Sequence, residues 1–357
     1  MINVTKTYLP DKEKYKDYID QIYSNGWVTN NGPMVKLLEK RLAEYLGVRN
    51  IVLVSNGTVA LEIAYRALGI EGDVITSPFS FVATTSSLVT NGLNPIYADI
   101  DSQTLNIDPK NIERLITSST SAIVPVHVFG NTCEVEEIET IAKKHNLKLV
   151  YDAAHAFNIK YKGNSILNYG DISTLSFHAT KIFHSIEGGA LIINDDSLVE
   201  KVRYLINFGI KNAEEIPELG TNAKMNEFEA AMGLCVLDDM KDLNVKRKLI
   251  YDFYKKKLEG AVKFQEENSN STKNHSYFPI ILKSEEQLKI IVEALNLKEI
   301  FPRRYFYPSL DTLGYIVPKQ FCEISRLIST RILCLPMYPE LKEKDQINIV
   351  ETIINSI

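Results

Sequence analysis

A chain of 357 residues, 45% hydrophobic and 24% charged, reads as a globular protein long enough for two domains, or one large domain with a smaller appendage. A net charge of −5 gives no electrostatic case for nucleic acid or an anionic membrane, and no apolar run approaches the ~20 residues that span a bilayer. The N-terminus lacks the apolar core of a signal peptide, and Cys133, Cys235, Cys322 and Cys334 are too scattered for a zinc site or disulfide framework, so a cytoplasmic protein is expected.

In chain order, residues 11–24 have helical spacing with little apolar content, which predicts a surface helix. Gly26 to Pro33 (GWVTNNGP) is a loop by its Asn, Gly and Pro content; its tryptophan, Trp27, could equally plug the core. MVKLLEKRLAEYLG follows as a helix with Gly47 as its C-cap. Ile51–Val54 is a continuous apolar run, expected of a strand buried on both faces. It leads through Ser55-Asn56-Gly57-Thr58 into a helical pattern, a geometry that offers free N–H groups to a phosphate.

Short apolar runs then alternate with helical segments: 73–77, 95–100, 122–128 and 148–152 as strands, with FVATTSSLVTNG, DPKNIERLI and EVEEIETIAKKHN between them. This rhythm predicts an α/β fold, a mainly parallel sheet with helices on both faces and ligands at the carboxyl ends of its strands. Thr58, Phe81, His127 and Asp152 all fall at or just after such ends. Beyond Ala190 come a strand, a helix, and a long helix expected to break or bend near Asp242. The polar stretch 266–276 reads as a surface loop near a domain boundary. The remainder predicts a small α+β C-terminal domain over 251–357, the large domain taking 1–250 with its first ~25 residues packing on the small one.

The chemistry concentrates in residues 149–190. Asp152 ends a strand, Ser176, His178 and Lys181 lie within six residues, and Glu187-Gly188-Gly189 precedes a new apolar run. An acid, a lysine and a diglycine so placed suggest a pyridoxal phosphate site. That cofactor needs an amine to hold its aldehyde, a carboxylate on its ring nitrogen and backbone donors on its phosphate.

With SNGT, SFVAT, VYDAAHA and SFHATKIFHSIEGGA in order, and with GWVTNNGP, GTNAKMNEFEAA, RRYFYPSL and LPMYPEL around them, the chain resembles the DegT/DnrJ/StrS family of sugar-nucleotide aminotransferases. The resemblance implies a fold-type-I pyridoxal-phosphate enzyme, a homodimer with shared active sites. It implies transfer of an amino group from L-glutamate to dTDP-4-keto-6-deoxy-D-glucose, as in deoxysugar and O-antigen biosynthesis. A 3-keto or UDP- or GDP-linked acceptor, dehydration, and a non-catalytic binding regulator are the alternatives; a lysine at 181, where dehydratase relatives carry histidine, favours amino transfer.

By the same resemblance Lys181 is the catalytic, cofactor-bearing lysine and Asp152 the partner of the ring nitrogen. His155 lies near the phenolic oxygen and Phe81 stacks on the ring. Gly57, Thr58 and Ser176 cradle the phosphate, with Asn222 or Lys224 reaching it from the partner subunit. Thr29, Asn30, His178 and Tyr307 are expected to bind substrate, with Arg304 on its pyrophosphate. His184 and Glu187 are expected to be structural.

Overall fold

The computed structural model describes residues 1–357. Seven strands form the central sheet in the order Ile51–Val54, Gly189–Ile193, Ile172–Ser176, Lys148–Asp152, Thr120–Val124, Asp73–Thr76 and Asn94–Tyr97. Gly189–Ile193 runs antiparallel to both neighbours and every other pair is parallel. The sheet alternation divides the core in two, because successive side chains of a strand point to opposite faces. Leu53, Ile75, Ile123, Tyr151, Leu175 and Ile192 enter one apolar cluster. Their neighbours Val52, Val54, Val74, Val124, Val150, Ile172 and Leu191 enter the other. Helices cover both faces, which is why the runs read as continuously apolar.

The helix Lys12–Asn25 buries only Ile22, as its composition predicts, and Pro33–Leu46 ends on Gly47 in the left-handed conformation (φ 66). Trp27 is half exposed and does not plug the core.

Two expectations change. The helix Glu227–Leu258 runs unbroken for 32 residues from a capping box between Asn226 and Glu229, and Asp242 simply faces solvent on it. Its first half packs Met232, Leu237, Met240 and Leu243 into the large core; its second half packs Ile250, Tyr254 and Leu258 against Phe278, Ile280 and Leu333. A division at residue 250 therefore cuts through a helix that serves both cores. Of the N-terminal stretch, only the first residues join the C-terminal part: Ile2–Asn3 pair with Ile300–Phe301, and Val4 O accepts from Met337 N at 3.0 Å. The first helix lies instead on Glu227–Leu258, where Lys14 pairs with Asp238 at 2.6 Å.

The C-terminal part pairs Pro279–Ile281 with Ile332–Cys334 and lays the helices Glu285–Asn296 and Glu343–Ile354 against them. It joins the large sheet through Phe306, Ile328 and Ile332, which pack on Phe79, Val126 and Phe129. No helix is long and apolar enough to cross a membrane.

Candidate active site

At the carboxyl ends of the parallel strands lies a cavity of about 260 Å³. Asp152 is the last residue of Lys148–Asp152 and is only 7% exposed. Its backbone is held on both sides: its N–H donates to Pro125 O (2.9 Å) and its O accepts from His127 N (3.2 Å). The carboxylate is aimed as well. Oδ2 accepts from Thr84 Oγ1 at 2.7 Å and Oδ1 from Ala154 N at 3.1 Å. Since Thr84 gives its one proton to Asp152, Ser80 Oγ, 2.7 Å behind it, must donate to Thr84. Burial nonetheless pushes the Asp152 carboxyl above its usual range, against those hydrogen bonds and the charge of Lys181. Each carboxylate oxygen keeps a lone pair for a further donor, and a cationic one would restore the ionised form.

Lys181 stands in the connection between the antiparallel strands Ile172–Ser176 and Gly189–Ile193. Two backbone bonds close this loop, Phe177 N to Gly188 O (2.8 Å) and Ser185 N to Phe177 O (3.0 Å). Phe177 and Phe183 are buried, with Phe183 stacked on Phe157 at 4.6 Å, so the turn that donates Lys181 N to His178 O is anchored on both sides. Removal from water brings the Lys181 ammonium down to about 8, although Asp152 pulls the other way. A lysine so shifted has an accessible neutral form near pH 7, which an attacking amine or a base requires.

The third element is the start of the helix Gly57–Leu68. Asn56 caps it by accepting from Val59 N at 2.8 Å, while the N–H groups of Gly57 and Thr58 have no carbonyl a turn behind them. The turn is pressed against the neighbouring strand ends. A Cβ on Gly57 would lie 2.8 Å from Ser176 Cβ, and one on Gly189 would lie 2.6 Å from the Asn56 backbone. These two glycines leave a cradle bounded by two N–H groups and the hydroxyls of Thr58 and Ser176, at the positive end of a helix. With an enclosed amine and a buried carboxylate beside it, the donor set fits pyridoxal phosphate.

Gly57, Thr58, Phe81, Asp152, His155, Ser176, His178 and Lys181 thus share one cavity. Phe81 is half exposed and is not core packing. Glu187, expected to be structural, lines the cavity too, 3.5 Å from His178 Nε2. His184 is structural: Nε2 donates to Tyr8 O and Nδ1 accepts from Ile186 N.

Other expected residues lie elsewhere. His127 reaches a strand end but turns away; its fully buried ring stacks on Tyr151 at 4.8 Å, Nδ1 accepts from Cys133 N, and burial holds it down at about 3. Arg304 does not line the cavity, because its guanidinium is paired with Glu285 (3.0 Å) and lies over the Tyr307 ring (3.6 Å). The arginine that lines the cavity is Arg303, beside Tyr305. Tyr307, Thr29, Asn30, Asn222 and Lys224 are also absent from the cavity wall of their own chain. Lys224 Nζ donates to Asn207 and Asn222 and lies 4.7 Å from the Phe208 ring. Thr84, Ser80, Tyr277, Tyr305 and Phe306 are site residues that the sequence reading missed.

Residues 10–354 match the DegT/DnrJ/EryC1/StrS aminotransferase family. A dTDP-4-amino-4,6-dideoxy-D-glucose transaminase of Shigella dysenteriae is 44% identical, over 100% of this chain and 98% of its own. One of the same name from Escherichia coli is 38% identical, over 100% and 99%. The crystal structure of DesI in the presence of its TDP-sugar product superposes with a TM-score of 0.94 and 31% identity, covering 99% of this chain and 92% of that one.

Proposed function

Membership of the DegT/DnrJ/EryC1/StrS aminotransferase family, to which this chain belongs, is the premise from which we propose that it transfers an amino group from L-glutamate to dTDP-4-keto-6-deoxy-D-glucose. The products are dTDP-4-amino-4,6-dideoxy-D-glucose and 2-oxoglutarate. The observation that carries this reading is the meeting of a lysine amine brought down to about 8 with a buried, hydrogen-bonded carboxylate in one cavity.

Pyridoxal phosphate, when bound, supplies the aldehyde that captures the amino group and the ring that takes up the electron pair of a broken C–H bond. The protein does the rest. Lys181 Nζ would hold the cofactor's aldehyde, and its neutral amine would take the proton from the α-carbon of the donor. Asp152, kept in place by Thr84 and Ala154, holds a proton on the ring nitrogen. The Gly57 and Thr58 N–H groups with the Thr58 and Ser176 hydroxyls would hold the phosphate, and Phe81 would pack against the ring. The same Lys181 amine serves the keto sugar in reverse.

A second copy of this chain closes the open side. Trp27, Val28, Phe81 and Phe208 are large apolar side chains about half exposed in one protomer, which supports a homodimer. Thr29, Asn30, Asn222 and Lys224 then serve the partner's cavity, the last two at its phosphate. A cytoplasmic location fits a nucleotide-sugar substrate. The first test is L-glutamate alone, which is expected to release one equivalent of 2-oxoglutarate per cofactor-loaded subunit; a non-catalytic binder releases none.

For the acceptor's diphosphate we assign Arg303 in place of Arg304. Arg303 lines the cavity, its guanidinium over the Tyr305 ring and without a carboxylate partner, whereas the Arg304 guanidinium is engaged by Glu285. Losing charge-assisted hydrogen bonds costs about 2 kcal/mol. Arg303→Ala is therefore expected to raise KM for the sugar nucleotide about thirty-fold and leave 2-oxoglutarate release from glutamate nearly unchanged. Arg304→Ala is expected to leave that KM within a few-fold; the opposite ranking would return the role to Arg304.

A further inference from the structure

His155 is a buried cavity residue whose proton position is decided by the backbone. It lies three residues beyond Asp152 and is 6% exposed. Its Nδ1 accepts the N–H of Phe129 at 3.3 Å. That N–H points inward because Phe129 adopts a left-handed conformation (φ 57, ψ 17) followed by Gly130 at φ 84. A ring nitrogen that accepts a hydrogen bond carries no proton, so the neutral ring keeps its proton on Nε2. Nε2 has no partner in the chain, yet unlike Nε2 of His127 it is not sealed off, and it opens on the cavity.

The surroundings hold the ring in this state. It lies parallel to Phe129 at 6.3 Å and to Phe306 at 5.7 Å, with Tyr277 4.6 Å away. The titratable or charged groups of the elements around it are Asp152, His178, Lys181, Glu187, Tyr277, Arg303 and Tyr305. Burial is the main force against its protonation and the charge of Lys181 adds to it.

The turn carrying His155 is clamped from behind by the stretch that composition assigned to a surface loop. Asn274, 6% exposed, donates from Nδ2 to His155 O (2.9 Å) and to Phe157 O (3.0 Å). Ser276 Oγ donates its one proton to Asn274 Oδ1, bracing the amide, and lies 3.3 Å from His155 O. There is no slack, since a Cβ on Gly130 would lie 2.8 Å from His155 O and 3.0 Å from Asn274 Oδ1.

We propose that Asn274 and the Phe129 N–H are positioning groups: they fix the tautomer of His155, the residue expected beside the cofactor's phenolic oxygen, as an Nε2–H donor facing the cavity. The identity of that acceptor rests on the reading of the cavity as a pyridoxal-phosphate site; the tautomer and the clamp do not.

The test is nitrogen NMR of the full-length protein labelled with ring-¹⁵N histidine, His155 being assigned by its loss in His155→Gln. In cofactor-free protein His155 is expected to show a bare Nδ1 and a protonated Nε2, unchanged between about pH 5.5 and 8.5. Adding pyridoxal phosphate is expected to shift Nε2 and leave Nδ1 in place. Asn274→Ala is expected to mix the two tautomers and weaken pyridoxal phosphate binding about tenfold. Ser276→Ala, a milder change, is expected to move the same signals less. A proton on Nδ1 or an imidazolium in that range overturns the tautomer, ring signals untouched in both variants overturn the clamp, and an Nε2 unmoved by the cofactor overturns the donor role. Because the first two are read without cofactor, they stand or fall apart from the proposed reaction; release of 2-oxoglutarate from glutamate tests that reaction separately.

Discussion

Lys181→Ala is expected to lower amino transfer by about 10⁴-fold or more while the chain still folds and dimerises. In the proposed reaction the variant loses both the amine that holds the cofactor aldehyde and the base that moves the proton. The fold does not depend on that side chain, because the loop is anchored by Phe177, Phe183 and the bond from Ser185 N to Phe177 O. Stability gives a second readout whose sign follows from the position of the ammonium. The folded protein holds it at about 8, below the ordinary value of 10.5, so folding disfavours the charged form. The unfolded chain then binds more protons between pH 8 and 10.5, and wild-type stability rises with pH across that window. At pH 7 the cofactor-free variant is therefore expected to be more stable than the cofactor-free wild type, with the difference shrinking towards pH 10.5. Denaturant titrations at the two ends of the range measure it. Retained turnover would remove Lys181 from the mechanism, and a variant less stable at pH 7 would mean that the lysine sits in a favourable, paired environment.

Asp152→Asn is expected to cost about 3–5 kcal/mol of barrier, or roughly 10²–10⁴ in rate. Asparagine is nearly the same shape and its oxygen can still accept from Thr84 or Ala154, so the backbone arrangement at the strand end survives. What is lost is the charge that, in the proposed reaction, keeps a proton on the ring nitrogen. Burial raises the Asp152 carboxyl in the cofactor-free protein, which means the ionised form is held at a cost to folding. The cofactor-free Asp152→Asn protein is accordingly expected to be no less stable than wild type at neutral pH and to become relatively less so as pH falls and the wild-type carboxyl takes up its proton. A near-normal rate would mean that the ring nitrogen is paired by another group.

The residues that sequence reading located best lie in short motifs at strand ends, where a hydrogen-bonded strand fixes the next few residues in space. Asp152 follows an apolar run, Gly57 and Thr58 follow Ile51–Val54, and Ser176 and Lys181 sit between two paired strands. Where the choice lay between adjacent residues, the sequence was blind. Arg303 and Arg304 are chemically alike, but in extended backbone successive side chains point opposite ways; the pairing of Arg303 with Cys334 sends one to the cavity and the other to Glu285. His127 went astray for the same reason, at the right strand end with its ring on the far side.

Thr84 was hidden within SFVAT, since only the helical turn following Phe81 brings its hydroxyl to Asp152. Composition read 266–276 rightly as a surface stretch but hid one buried residue in it. Asn274 is buried there because its amide satisfies two backbone carbonyls, a role invisible until the opposing turn is in place. The expected break near Asp242 arose because the apolar face of Glu227–Leu258 shifts as the helix passes from one core to the other, which on paper looks like an interruption.

The central claim is tested most directly by incubating the protein with pyridoxal phosphate, L-glutamate and dTDP-4-keto-6-deoxy-D-glucose, and analysing the product by mass spectrometry and proton NMR. The expected result is one new amine at C4 of the sugar, formed in step with 2-oxoglutarate and absent with Lys181→Ala. An unchanged sugar with 2-oxoglutarate still released would contradict the choice of acceptor, and no 2-oxoglutarate at all would contradict the proposed reaction itself.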